Sequence, residues 1–156
     1  MKFKIVAVGK IKESYLKDAL SEYVKRIGRF ATVEIVEIDE CLSKGAQSCK
    51  EIERVKKQEG EAILAKLEGY VVAMDIDGKE FSSEQLSLHI QEQKQKYATY
   101  TFVIGGSNGL SDEVKQRAQL RCSFGKITLP HQLFRVVLLE QLYRACCIEH
   151  NVPYHK

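Results

Sequence analysis

No apolar run in this chain approaches the roughly 20 residues needed to cross a bilayer, so no membrane-spanning helix is expected. The opening stretch, Met1 to Lys10, is too short and too alternating for the core of a signal peptide, which points to the cytoplasm. Proline is scarce, at two residues, and 44% of the chain is hydrophobic, a composition of folded rather than disordered protein. The cysteines Cys41, Cys49, Cys122, Cys146 and Cys147 are odd in number and form no C-x-x-C pair, so neither a disulfide framework nor a zinc site is signalled. No H-x-x-x-H or acidic pair stands at ligand spacing, and no metal is expected. No local Ser/His/Asp signature suggests a hydrolase.

A strong charge of one sign is also missing: the net charge is +3. Its distribution is uneven. Residues 1–30 hold eight Lys/Arg against three Asp/Glu, residues 31–96 nine against fourteen, and residues 97–156 seven against four. The two basic ends would make one basic surface if the fold brings them together; otherwise they are solvated helix faces.

At 156 residues the chain is one domain, spanning 1–156, with one sizeable core. It has no internal repeat or low-complexity segment. Strand-like and helix-like segments alternate. Phe3 to Gly9 reads as a strand, and Leu16, Leu20, Tyr23, Val24 and Ile27 repeat at helical spacing. Thr32 to Ile38 alternates apolar and acidic residues, as a strand at a sheet edge would. A helix follows over about Cys49 to Leu67. Tyr70 to Met74 and Thr99 to Ile104 are apolar throughout and suit strands covered on both faces. Ser82 with Gln85 forms a capping box for a helix carrying Leu86, His89 and Ile90, where His89 reads as an incidental surface residue. Phe124 to Leu129 is a last strand or loop, stopped by Pro130. This order predicts an α/β fold, a mostly parallel sheet flanked by helices.

The last helix, about Gln132 to Glu149, is apolar around nearly its whole circumference. Packing on a sheet needs only a stripe. Cover on a second side is therefore expected, and a homodimer supplies it.

Ligands of a parallel sheet sit beyond the carboxyl ends of its strands. Three segments lie there: Met74 to Gly78, Ile104 to Gly109, and Phe124 to His131. Gly105, Gly106 and Gly109 allow close approach of backbone to a ligand, though their spacing fits neither the dinucleotide fingerprint nor a P-loop. His131 follows the last sheet segment, and Tyr154-His155-Lys156 follows the apolar helix, either frayed or folded over a neighbouring pocket.

Four blocks occur in order: Val8-Gly9-Lys10, Phe102 to Leu110, Pro130-His131-Gln132-Leu133-Phe134-Arg135-Val136, and Pro153-Tyr154-His155-Lys156. Together they resemble the ribosomal RNA large subunit methyltransferase H family, of the SPOUT or α/β-knot class, from end to end. The resemblance implies a C-terminal trefoil knot, a homodimer, and S-adenosylmethionine as cofactor. The implied reaction is N3-methylation of a pseudouridine in large-subunit ribosomal RNA, on the intersubunit-bridge helix of the assembled ribosome. Carried over by position, cofactor contacts fall on Met74, Gly105, Phe124, Gly125, Lys126, Ile127, Thr128 and Leu129. Loss of the N3 proton needs an acceptor, with His155 first and His131 second. Arg135 would contact phosphate or base carbonyls, and Tyr154 would stack on the base. A non-catalytic dimeric module binding RNA or a nucleotide would share the basic ends and glycine loops without needing the tail.

Overall fold

A computed structural model describes residues 1–42 and 48–156. The elements are β1 (Lys2–Val8), α1 (Ser14–Ile27), β2 (Thr32–Ile38), α2 (Cys49–Leu64), β3 (Tyr70–Glu80), α3 (Ser83–Lys94), β4 (Thr99–Ile104), α4 (Asp112–Arg117), β5 (Leu120–Ser123) and α5 (His131–Glu149). The strands form one sheet in the order β2-β1-β4-β3-β5, and each pairing between these strands is parallel.

Period-two alternation divides the core in two. Phe3, Ile5 and Ala7 of β1, with Tyr100, Phe102 and Ile104 of β4, face α1, α3 and α5. Val6, Val8, Val71, Ala73 and Val103 face α2 and α4. Each fully buried Leu, Ile, Val or Phe contributes about 1.5–3 kcal/mol through loss of water contact. β1, β4 and the first half of β3 have helices on both faces, which is why their sequences are apolar runs. β2 lies at an edge, so its acidic residues stand half-exposed.

Helix starts follow capping chemistry. Ser48, Ser82 and Ser111 each accept a hydrogen bond from the amide three residues on, and Ser82 with Gln85 completes the box. Without such a cap, α5 begins directly after Pro130. Its Leu138, Leu139, Leu142, Ala145, Cys146 and Cys147 are buried against the sheet and the neighbouring helices. Leu133 is 39% exposed, and Phe134, Val136 and Tyr143 remain only half-buried. The chain itself therefore leaves apolar area of α5 uncovered.

The structure decides one local expectation and corrects two. Of the two readings of Phe124 to Leu129, strand or loop, the loop is the one found, and the last strand, Leu120–Ser123, lies just before it. Gly125, at φ +105°, turns the chain away, and Ser123 Oγ bonds both its amide and its carbonyl. β3 runs on past Met74 to Glu80 through a bulge that leaves residues 75–78 off the ladder. His89 is not incidental: its ring hydrogen-bonds Tyr70 Oη at 3.0 Å, and burial lowers its pKa.

The basic ends do meet, because α1 packs against α5. Much of their charge is already engaged. Lys2 pairs with Glu34 and Glu68, Arg26 with Glu22, and Arg144 with Glu140.

Candidate active site

Because all strands are parallel, their carboxyl ends gather at one edge. There the exits of β3, β4 and β5 enclose a cavity of about 900 Å³ that extends to the first turn of α5. This size suits a drug-sized or nucleoside-sized ligand. Met74, Ile104, Leu110, Ile127 and Leu129 give it apolar walls.

Glycine shapes the walls in two ways. At Gly105 a Cβ would lie 2.7 Å from the Gly109 carbonyl carbon, so only glycine lets the β4 exit fold into its tight turn. That turn is closed by the Gly109 amide donating to Gly106 O at 3.0 Å. At Gly109 (φ +78°) and Gly125 (φ +105°) a Cβ would meet nothing within 4 Å, so the left-handed backbone lies bare to the cavity.

Charge at the rim is organised around Asp75, whose side chain is only 5% exposed. It accepts from Arg121 at 2.7 Å and Lys115 at 3.2 Å. Burial pushes its pKa up, but the Asp77 amide, Arg121 and Lys115 outweigh this and hold it below the usual range. Asp75 thus ties the bulge of β3 to β5 and α4. Asp77, 74% exposed, stays at the mouth with Lys126 3.6 Å away. Burial pushes the Cys122 thiol up to about 12, which leaves no thiolate nucleophile there. Among the described residues no group of three or more His, Cys, Asp or Glu could hold a metal.

Of the residues singled out from sequence, Met74, Gly105, Phe124, Gly125, Ile127, Thr128, Leu129 and His131 all border this cavity. Lys126 does not; its ammonium reaches back to Ile76 O at 3.2 Å. Arg135 does not either. It is 1% exposed and donates to Val8 O at 2.8 Å, Gly9 O at 2.7 Å and Glu37 at 3.1 Å. The expected contact of Arg135 with phosphate or base is corrected on that ground, because the guanidinium faces inward. It clamps the first turn of α5 onto the end of β1, where His131 Nε2 stands 3.1 Å from the Cβ position of Gly9.

Tyr154 and His155 lie outside the cavity, and neither is frayed. Asn151, at φ +53°, turns the chain back, and Tyr154 Oη donates to Glu140 at 3.0 Å. His155 Nε2 lies 2.7 Å from Glu84. A recess of about 340 Å³ between α3 and α5 shares Ser123, Phe124 and Gly125 with the main cavity. The pairing of Asp75 with Lys115 has no signal in the sequence because it spans about 40 residues and follows no local spacing.

The family described as "Predicted SPOUT methyltransferase" has a model that matches residues 1–155. This chain belongs to the SPOUT methyltransferases. Curated Streptococcus pneumoniae proteins from strains TIGR4 and D39, each named Ribosomal RNA large subunit methyltransferase H, are 48% identical to this SPOUT methyltransferase over 100% of both chains. The fold is shared with a methylase-family protein from Haemophilus influenzae Rd KW20, with TM-score 0.56, 11% identity, and coverage of 99% of this chain and 70% of that one. It is shared as well with a Legionella pneumophila methyltransferase solved with bound SAM, with TM-score 0.51, 10% identity, and coverage of 93% and 66%.

Proposed function

We propose that this chain transfers the methyl group of S-adenosylmethionine to N3 of a pseudouridine in large-subunit ribosomal RNA, on the bridge helix of the assembled ribosome in the cytoplasm. The observation that carries this is the cavity at the β3, β4 and β5 exits, in a chain 48% identical end to end to proteins named for ribosomal RNA methylation. The lining fits the cofactor. Its apolar walls suit a flat heteroaromatic base, the bare backbone at Gly109 and Gly125 offers hydrogen-bonding groups, and exposed Asp77 suits a cationic group at the mouth.

When bound, S-adenosylmethionine supplies an electrophilic methyl group on a sulfonium. The protein supplies position and a route for the proton. Loops 74–77, 104–110 and 123–131 hold the methyl donor, and orientation lowers much of the barrier of such a reaction. The ring nitrogen must lose its proton, with His155 as first acceptor and His131, in the cavity wall, as second. Tyr154 stacks on the target base.

The tail rests on its own α3 and α5, outside the cavity. A homodimer formed on the uncovered apolar residues of α5 brings the tail of one copy over the cavity of the other. Calorimetry should show S-adenosylmethionine binding at roughly micromolar affinity, about −8 kcal/mol. Primer extension on treated ribosomes should stop at the target, because an N3 methyl blocks the pairing edge. Deleting residues 154–156 should leave cofactor affinity intact and slow methylation by about 10²-fold or more. Mixing this chain with a Gly105→Leu chain should restore part of the activity. Recovery of nothing despite heterodimer formation would mean that each site is built within one chain. Cofactor binding without methylation of any ribosomal substrate would make the protein a binding module.

A further inference from the structure

The tail ends in a network that a frayed terminus would not build. Glu84 stands in the first turn of α3, its carboxyl pulled down to about 2 by its own backbone amide, Ser82 and His155. It is ionised at neutral pH and accepts hydrogen bonds only. On the other side of the imidazole, Arg144 Nη1 lies 3.4 Å from His155 Nδ1. Arginine donates only. Arg144 is itself fixed by Glu140 at 2.6 Å and lies over the Tyr154 ring, 4.7 Å from its centroid. Tyr154 packs edge-on against Tyr143, which Arg26 of α1 covers from outside. The charged or titratable groups around His155 are thus Glu84 from α3, Arg144 and Glu140 from α5, and Tyr154 and Lys156 beside it.

Both flanking partners demand one tautomer of neutral His155, with the proton on Nε2 facing Glu84 and a lone pair on Nδ1. The bond on the Nε2 side is short, whereas the 3.4 Å contact at Nδ1 is long and easily displaced by a substrate.

We propose that Glu84 is a positioning residue for His155, fixing the tautomer that leaves Nδ1 free to take the N3 proton of the target base. This rests on the tail closing the active site. In the step, the N3–H bond breaks and its proton goes to Nδ1. The N3 electron pair forms the bond to the methyl carbon, and the C–S pair stays with sulfur as a neutral thioether. The imidazolium so formed faces the Glu84 carboxylate at its Nε2 side, which pairs with the new positive charge through a charge-assisted hydrogen bond.

The test uses the full-length chain. Nitrogen-15 NMR of the imidazole, assigned by comparison with His155→Gln, should show the neutral ring carrying its proton on Nε2, with Nδ1 bare. In Glu84→Ala the tautomers should mix, kcat should fall on the order of tenfold to a hundredfold, and KM and cofactor affinity should hold, as when a partner orienting a functional histidine is lost. Glu84→Asp should restore part of the tautomer preference and of kcat. An unchanged tautomer or an unchanged kcat in Glu84→Ala would overturn the proposal. So would loss of cofactor binding or dimerisation, which would make Glu84 merely structural. Normal methylation after deletion of residues 154–156 would instead remove the tail reading on which the proposal stands.

Discussion

Replacing Arg135 by Met separates a buried clamp from an RNA contact. The guanidinium is 1% exposed, and methionine occupies much of its volume without the charge. Three partners are lost: the Val8 and Gly9 carbonyls and the Glu37 carboxylate. The carbonyl oxygens lie at the buried end of β1, and each hydrogen bond from a charged donor is worth about 1.5–3 kcal/mol. Glu37 keeps a side chain 34% exposed, so water replaces its partner at small cost. Part of the loss is offset because a buried guanidinium, one nitrogen of which has no partner among the described residues, no longer needs desolvating. The net expectation is about 3 kcal/mol, a large fraction of a typical domain's 5–15 kcal/mol. Urea unfolding measures it, with an unchanged m-value expected. Salt dependence of ribosome binding supplies the contrast, since each phosphate contact removed lowers the slope by about one. A stability loss under 1 kcal/mol together with a slope lowered by one would refute the inward placement of Arg135.

Gly105→Ala forces a Cβ to within 2.7 Å of the Gly109 backbone, so cofactor affinity should drop at least tenfold by calorimetry while far-UV circular dichroism is unchanged. Leu133→Glu places a charge on the uncovered face of α5, where the protomer tolerates it, and sedimentation should show dissociation to monomer. Asp75→Asn should cost about 1–3 kcal/mol at pH 7. The Asp75 pKa is depressed in the folded state, so its contribution is present above the ordinary carboxylate range and lost as pH falls through the folded value. The Tm gap between wild type and Asp75→Asn should therefore narrow as pH falls below the ordinary carboxylate range.

The sheet was legible because its inner strands, Tyr70 to Met74 and Thr99 to Ile104, carry the unbroken apolar pattern that cover on both faces imposes. The edge strand was equally plain in Thr32 to Ile38. The last strand gave no signal because Leu120-Arg-Cys-Ser is short and mixed in polarity, whereas Phe124 to Leu129, apolar enough for strand or loop, forms a cavity wall. Cavity residues were found wherever glycine or a strand end marked them. Arg135 was misassigned because an arginine that hydrogen-bonds carbonyls 126 and 127 positions away looks, in sequence, like any surface cation. The Asp75 ion pairs and the Glu84–His155 contact join residues 40 to 71 apart, beyond any local pattern.

β5 is four residues long, outermost in the sheet and paired only to β3, yet its exit supplies a wall of the cavity. A short strand with one neighbour opens at a free energy well below that of global unfolding. A ligand bound to the closed form adds RT ln(1 + [L]/Kd) to that opening, about 2.7 kcal/mol at a hundredfold excess over Kd. Saturating cofactor should thus slow amide exchange about a hundredfold at Cys122 and Ser123 wherever exchange proceeds through opening of β5 alone. The deep amides of β1 and β4, which exchange only when the whole domain opens, gain the same increment on top of far stronger protection. Exchange slowed in this way would make the cofactor a structural member of the sheet it binds.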